Sequence, residues 1–445
     1  MSYAMSYSMP YLLIAYKWLT WLAWPFINLL VRWRIKQGRE DPMRIAERYG
    51  RAHKARPNGQ LIWIHAASVG ETLSVLPLIG KLLETDSQRH ILLTSGTVTS
   101  ANIIAKRKMA RLIHQYVPID YPLFVRRFIR HWSPSIAIFV ESEFWPNLLD
   151  RAYHKNIPLI LINARLSPNA YIKWKKAPTT IRTLLGRFSL ILASDQLTTD
   201  RLTDLGAKHI KTLDNLKLDA PPLPFDATAL ETLQTQIGTR PVWLAASTHV
   251  GEDILAAQTH QALVANHQAL LTIIIPRHPI RGDMIKAELE TLGLNVAQRS
   301  REEPIQAQTD IYLADTIGEM GLFYRLGQVA FIGGSLVPHG GQNPMEAAQL
   351  GMVLIHGPHI SNFTSIFARL AEAQAVVAIA DGLELTATVN RLLFDKDERQ
   401  AMLLRAQAFA EANSGTCETY YKILQPLLAE TGLAEIKREK NKNNV

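Results

Sequence analysis

The chain has 445 residues, 47% hydrophobic and 20% charged. That length points to two domains, and the composition excludes a disordered or collagen-like chain. One cysteine, Cys417, excludes an intramolecular disulfide and a cysteine-held metal, and the 14 histidines form no HExxH-like pattern, so neither metal nor cofactor is expected. The formal charge of +9, from 48 basic and 39 acidic residues, leaves nucleic acid, an anionic membrane or an anionic substrate open as partners.

The first element runs from Tyr11 to Val31, YLLIAYKWLTWLAWPFINLLV. As one helix it is just long enough for a bilayer core of about 30 Å, at roughly 1.5 Å per residue. Trp18, Trp21 and Trp24 suit the membrane interface, and Arg32, Arg34, Lys36 and Arg39 would hold the following end in the cytoplasm. Lys17, Pro25 and Asn28 count against a full span, so a transmembrane helix and an interfacial helix both stand, with a buried core helix as the plain alternative. A cleaved signal peptide fits less well, because the basic residues follow the apolar run.

Short apolar runs then alternate with amphipathic stretches. Leu61–His65, Ile91–Thr94, Ile136–Val140, Leu159–Asn163 and Leu190–Ala193 read as buried strands. Thr72–Glu84 reads as a helix with Leu73, Leu76, Ile79 and Leu83 on one face, and Pro77 predicts a late start or a bend. A second series comprises Val242–Ala246, Leu271–Ile275, Ile311–Leu313, Val329–Ile332, Val353–Ile355 and Ala375–Ala378. Such alternation predicts an α/β chain with two parallel sheets, two Rossmann-like domains facing a cleft. Ala220-Pro221-Pro222-Leu223-Pro224 is the best linker. The boundaries are a membrane-anchor segment over 1–36, a first domain over 37–220, a second over 221–432 and a charged, solvated tail over 433–445.

Open α/β sheets bind ligands beyond the carboxyl ends of their strands, so polar residues there are the candidates. HAASVGE follows the first strand; Ser68 and Glu71 form a capping box there, or Glu71 is a general base. Glu141 and Glu143 follow the strand Ile136–Val140, either as functional carboxylates or as charges at a helix start. Arg165 ends another strand, and Lys217 precedes the linker; each is an anion ligand or a surface cation. In the second half, Pro276 and Arg277 end a strand, where Arg277 could grip a phosphate or carboxylate. Ile317, Gly318 and Glu319 mark one strand-to-helix turn, and Gly333, Gly334 and Ser335 another. Asn343, Pro344, Met345 and Glu346 open a further helix after Gly340-Gly341. Its first amides suit a phosphate and Glu346 could accept from ribose hydroxyls, or the segment is an ordinary cap with Asn343 as N-cap and Pro344 as first residue, and both can hold. No GxGxxG is present, which weakens a NAD or FAD reading.

In order along the chain, HAASVGE, ESEFWPNLL, NARLS, NLKLD, STHVGE, PRHP, IGEMGLFY, FIGGSLV and GGQNPMEAAQLG, preceded by the apolar segment, resemble the Kdo (3-deoxy-D-manno-octulosonic acid) transferases, glycosyltransferase family 30. The likeness departs at Ile280, at Gln342, where histidine is usual, and at Asp214-Asn215. It implies a glycosyltransferase type B fold with an N-terminal membrane helix, and inverting transfer of Kdo from CMP-Kdo to the lipid A precursor lipid IVA at the cytoplasmic side of the inner membrane. It also implies Glu71 as the base and Glu141 and Lys217 as transition-state stabilisers. Pro276, Arg277, Ile317–Glu319 and Asn343–Glu346 would then bind the cytidine nucleotide. The rival readings are another type-B-fold nucleotide-sugar enzyme, such as an epimerase, and a membrane-tethered nucleic-acid-binding protein. The second is disfavoured because the basic residues are scattered without an RNA- or DNA-binding motif.

Overall fold

The computed structural model describes residues 10–219, 223–266, 269–413 and 415–443. It divides into one unit made of residues 1–219 and 415–445, and a second made of residues 220–414. Residues 220–222 of the expected linker lie outside the described residues.

The first unit is built on a seven-stranded parallel sheet: β1 (Leu61–His65), β2 (His90–Ser95), β3 (Leu112–Tyr116), β4 (Ile136–Val140), β5 (Leu159–Ala164), β6 (Phe188–Ala193) and β7 (Ile210–Thr212), in the order β3-β2-β1-β4-β5-β6-β7. Side chains alternate across β1, so that Leu61 and Trp63 enter a core with Phe128, Phe139 and Trp132, while Ile62 and Ile64 enter another with Leu78 and Ile79. Burial of both faces explains the continuous apolar runs. The helix after β1 spans Val69–Glu84, so Pro77 sits inside it and does not delay its start.

The second unit repeats this plan with β8 (Val242–Thr248), β9 (Leu271–Pro276), β10 (Val296–Gln298), β11 (Ile311–Leu313), β12 (Val329–Ile332), β13 (Val353–His356) and β14 (Val376–Ala378), ordered β10-β11-β9-β8-β12-β13-β14. In each sheet the winding reverses beside the unit's first strand, between β1 and β4 and between β8 and β12. Such switch points open a crevice at the carboxyl ends of the strands.

Two expectations are corrected. The last helix, Thr416–Asn443, belongs to the first unit, not to a second domain over 221–432, and it runs through most of the supposed tail. Tyr420, Leu424 and Leu428 share one helical stripe in the same core as Ile79, and Asp219 accepts from the backbone N–H groups of Gly415 (2.8 Å) and Cys417 (2.5 Å). The apolar start is not one helix. It breaks into Tyr11–Leu22 and Trp24–Lys36 at Ala23, because Pro25 cannot donate to the turn before it and prefers the first turn of a new helix. No helix among the described residues is long and apolar enough to cross a membrane.

The polar residues that weighed against a span have partners within the first unit. Lys17 donates to Asp150 at 2.5 Å, Asn28 accepts from the Tyr49 hydroxyl at 2.9 Å, and Leu13 is buried in the core. Elsewhere the two helices leave large apolar side chains exposed, including Trp18 at 63%, Leu22 at 63%, Phe26 at 72% and Leu29 at 67%.

Candidate active site

At the first switch point, Ser68 caps the helix Val69–Glu84 and accepts from the Glu71 backbone N–H. The Glu71 carboxylate turns back over this start, accepting from the Ala67 backbone N–H (2.8 Å) and the Ser68 hydroxyl (2.7 Å). The capping box is thus present, and it does not exhaust the carboxylate: each oxygen spends one lone pair on the cap and keeps another. Glu71 is only 7% exposed. Burial pushes its carboxyl above the ordinary value, the negative charge of Glu141 adds to this, and the Glu143 charge adds further, outweighing the opposing bonds from Ser68 and Ala67.

Glu141 follows β4 directly, with a left-handed φ of 59° that a glutamate rarely adopts. Its carboxylate accepts from Lys217 Nζ at 2.6 Å and lies 4.0 Å from Arg165. Lys217 is held by its own neighbours, since Asn215 accepts from its backbone N–H at 2.9 Å and Asn163 accepts from that of Leu216 at 3.0 Å. Glu143 lies 3.6 Å from the buried His65 ring and accepts from the Trp145 indole; burial alone would raise its carboxyl, but those two partners hold it below the ordinary value. Glu71 is thus raised and Glu143 held low, while Glu141 is paired with Lys217.

At the second switch point, Pro276 ends β9, and the Arg277 backbone N–H donates to Thr248 at 2.9 Å, leaving the guanidinium exposed. Glu252 is fully buried and accepts from four backbone N–H groups, those of His249 (2.9 Å), Gly334 (2.7 Å), Ser335 (3.1 Å) and Leu336 (3.0 Å). It thereby ties the end of β8 to the turn after β12. Gly334, at φ +67°, faces the His249 ring, and a Cβ there would come within 3.2 Å of it. Ile317 is exposed and Gly318 adopts φ +89°. The Glu319 carboxylate is already paired with Arg299 at 2.7 Å and accepts from the Thr316 hydroxyl at 2.5 Å, which holds it below the usual range.

The last segment differs from expectation by one residue. The helix begins at Met345 with Pro344 as its cap, while Asn343 accepts from the Met345 backbone N–H at 3.1 Å and donates to Glu346 at 3.4 Å. Met345 has no exposed surface, so its side chain packs in the core and only its backbone is available to a ligand. Among the described residues no cluster of His, Cys, Asp and Glu could hold a metal ion.

A separate cavity of about 400 Å³ in the first unit is lined by Gly50, Arg51, Ala52, Arg127, Arg130 and His131, none of them at a strand end.

Residues 43–220 match the family model described as 3-Deoxy-D-manno-octulosonic-acid transferase (kdotransferase). The chain is 35% identical over 394 residues to the 3-deoxy-D-manno-octulosonic acid transferase of Haemophilus influenzae, covering 86% of this chain and 91% of that protein. The chain belongs to the Kdo transferase family. The corresponding protein of Rickettsia bellii is 31% identical over 411 residues, 92% of this chain and 98% of the relative. A solved glycosyltransferase from Rickettsia africae, 11% identical, shares the fold with a TM-score of 0.59 over 83% of this chain and 99% of its own. This transferase therefore has a two-domain fold of the type B glycosyltransferase kind.

Sequence reading singled out the carboxylates and Arg277 because each stands just beyond a strand end, and Lys217 because it precedes the linker. It gave no role to His65, Glu252, Asp253 or His339. The signal for Glu252 and Asp253 was present: two adjacent acids right after an apolar strand, which burial tolerates only when each is fully hydrogen-bonded.

Proposed function

We propose that this transferase moves Kdo from CMP-Kdo onto the lipid A precursor lipid IVA, with inversion at the anomeric carbon, at the cytoplasmic face of the inner membrane. The observation that carries the reading is the burial of the Glu71 carboxylate over the helix start at the first switch point, where burial and the charges of Glu141 and Glu143 raise its carboxyl. A carboxylate of ordinary basicity is a poor proton acceptor for a sugar hydroxyl, and a raised one is better matched to that task.

In this mechanism Glu71 takes the proton of a glucosamine hydroxyl as its oxygen attacks the anomeric carbon. The bond from that carbon to the nucleotide phosphate breaks on the opposite side, and its electron pair leaves with the phosphate. Lys217, oriented by Glu141, meets the charge that develops in the transition state. Arg277 binds the donor phosphate, and the backbone around Gly318 and Asn343 borders the nucleotide. The Glu319 carboxylate is engaged with Arg299, so its share in nucleotide binding is the placing of that loop.

Membrane attachment is interfacial in this account. The exposed apolar residues of Tyr11–Leu22 and Trp24–Lys36 share the end of the second helix with Arg32, Arg34 and Lys36, and Arg39 follows it, a pattern suited to the surface of an anionic leaflet. Arg51, Arg127 and Arg130 line a cavity in the same unit and suit lipid phosphates.

Purified protein incubated with lipid IVA in detergent and a regenerated CMP-Kdo supply should yield acceptor heavier by whole Kdo residues, read by mass spectrometry. An acceptor of unchanged mass, with another nucleotide sugar consumed instead, would refute the assignment.

A further inference from the structure

His249 stands just past β8, and His339 lies in the loop after β12. Their rings stack with centroids 4.1 Å apart and planes 21° apart, and His278 approaches His249 edge-on at 5.9 Å. Three imidazoles thus gather at the second switch point beside Arg277. His249 is nearly buried, whereas His339, His278 and Arg277 are exposed.

The charges around the cluster are one-sided. Arg277 and Arg281 both act on His249 and His278. The two nearest carboxylates are spent: Glu252 on four backbone N–H groups, Asp253 on Arg281 and the Thr248 hydroxyl. The Gln342 amide nitrogen lies 3.2 Å from His249 Nε2, an arrangement in which the ring accepts and is neutral. A half-turn of that amide would present its oxygen to a protonated ring. The cluster therefore gathers cations and imidazoles, while the neighbouring Glu252 and Asp253 are engaged elsewhere.

We propose that the stacked pair His249–His339, flanked by His278 and Arg277, is the seat of the donor's phosphodiester, and that the pair takes up one proton as that anion binds. The inference rests on the reading of the second unit as the nucleotide-sugar site. The imidazolium formed on binding then offsets the second negative charge that the phosphate gains when its bond to the sugar breaks. Burial and the surrounding cations hold His249 down to about 4 and hold His278 below its ordinary value, so these two rings are neutral near pH 7 until an anion arrives.

The test is titration calorimetry of the full-length protein with cytidine 5′-methyl phosphate, a diester that does not itself titrate near neutrality. At pH 7.5, buffers of different ionisation enthalpy should report uptake of roughly half to one proton per site. His339→Asn should weaken binding roughly tenfold or more and abolish the uptake. His339→Arg should restore most of the affinity with no uptake, because its charge is permanent. Tight binding by the wild-type protein without proton uptake, or unchanged uptake in His339→Asn, would overturn the proposal while leaving the nucleotide site standing. Failure to bind the cytidine diester at all, with binding of a uridine or guanosine counterpart, would overturn the donor assignment itself and this inference with it.

Discussion

Glu71 serves as helix cap and as candidate base, and its environment sets a sign that can be measured. Its carboxyl is raised first by burial and then by Glu141. The kcat/KM profile should therefore rise with pH through a pKa above the ordinary 4.5. Glu141→Gln should move that limb to lower pH, since it removes a like charge and releases Lys217; an unmoved limb would mean that Glu71 is not the titrating group. Stability follows the same linkage. A carboxyl whose folded pKa is raised stabilises the fold below its unfolded value, and that contribution is lost as pH rises through the folded value. Glu71→Gln should accordingly have the higher melting temperature at pH 8, with the difference shrinking towards pH 4. At this scale Glu71, Glu141 and Arg277 were legible as candidates because each lies just beyond the end of a strand. Lys217, in a turn before the linker, had no such signal, and its role came from the family likeness. Met345 sits inside a polar motif, but its side chain lies in the core, so its part in the motif is that of its backbone.

Among the elements, the amino-terminal helix pair is fastened to the first unit by polar contacts of unequal worth. Asp150 receives Lys17 and Arg187, each at 2.5 Å, but Arg187 is buried and Lys17 is a third exposed. Asp150→Ala strands a buried guanidinium and should cost about 3–5 kcal/mol. Lys17→Ala removes only a half-screened partner and should cost less than about 1 kcal/mol. Urea midpoints of the two variants decide this, and equal losses would contradict it. Tyr16 adds a bond to the buried Asp120 at 2.9 Å, and Asp120 also accepts from the backbone N–H groups of Asn147 and Leu148. The first helix is thus joined to the start of Pro146–Tyr153, the helix that follows Glu141 and Glu143.

The elements that sequence alone missed have physical reasons in common. The edge strands β3, β7 and β10 are short or only partly buried, and they lack the continuous apolar run of the central strands. The break at Ala23 was foreshadowed by Pro25, but the apolar residues on both sides masked it. The return of Thr416–Asn443 to the first unit had no local signature, because a stripe of Tyr420, Leu424 and Leu428 would suit any sheet face.

At the scale of the whole molecule, an excess of positive charge and a cluster of exposed tryptophans, leucines and a phenylalanine lie in a family whose proposed acceptor is an anionic lipid. Replacing Trp18, Leu22, Phe26 and Leu29 together by serine should leave the fold intact, since these side chains are exposed. It should release the protein from vesicles containing anionic phospholipid in a sedimentation assay; undiminished binding would place the contact elsewhere. The central claim concerns chemistry, and the most direct measurement is the single-turnover rate of Kdo transfer by Glu71→Gln with donor binding measured in parallel. The account predicts unchanged donor affinity with transfer slowed by a factor of about 10² to 10⁴. Transfer at a near-normal rate would contradict it.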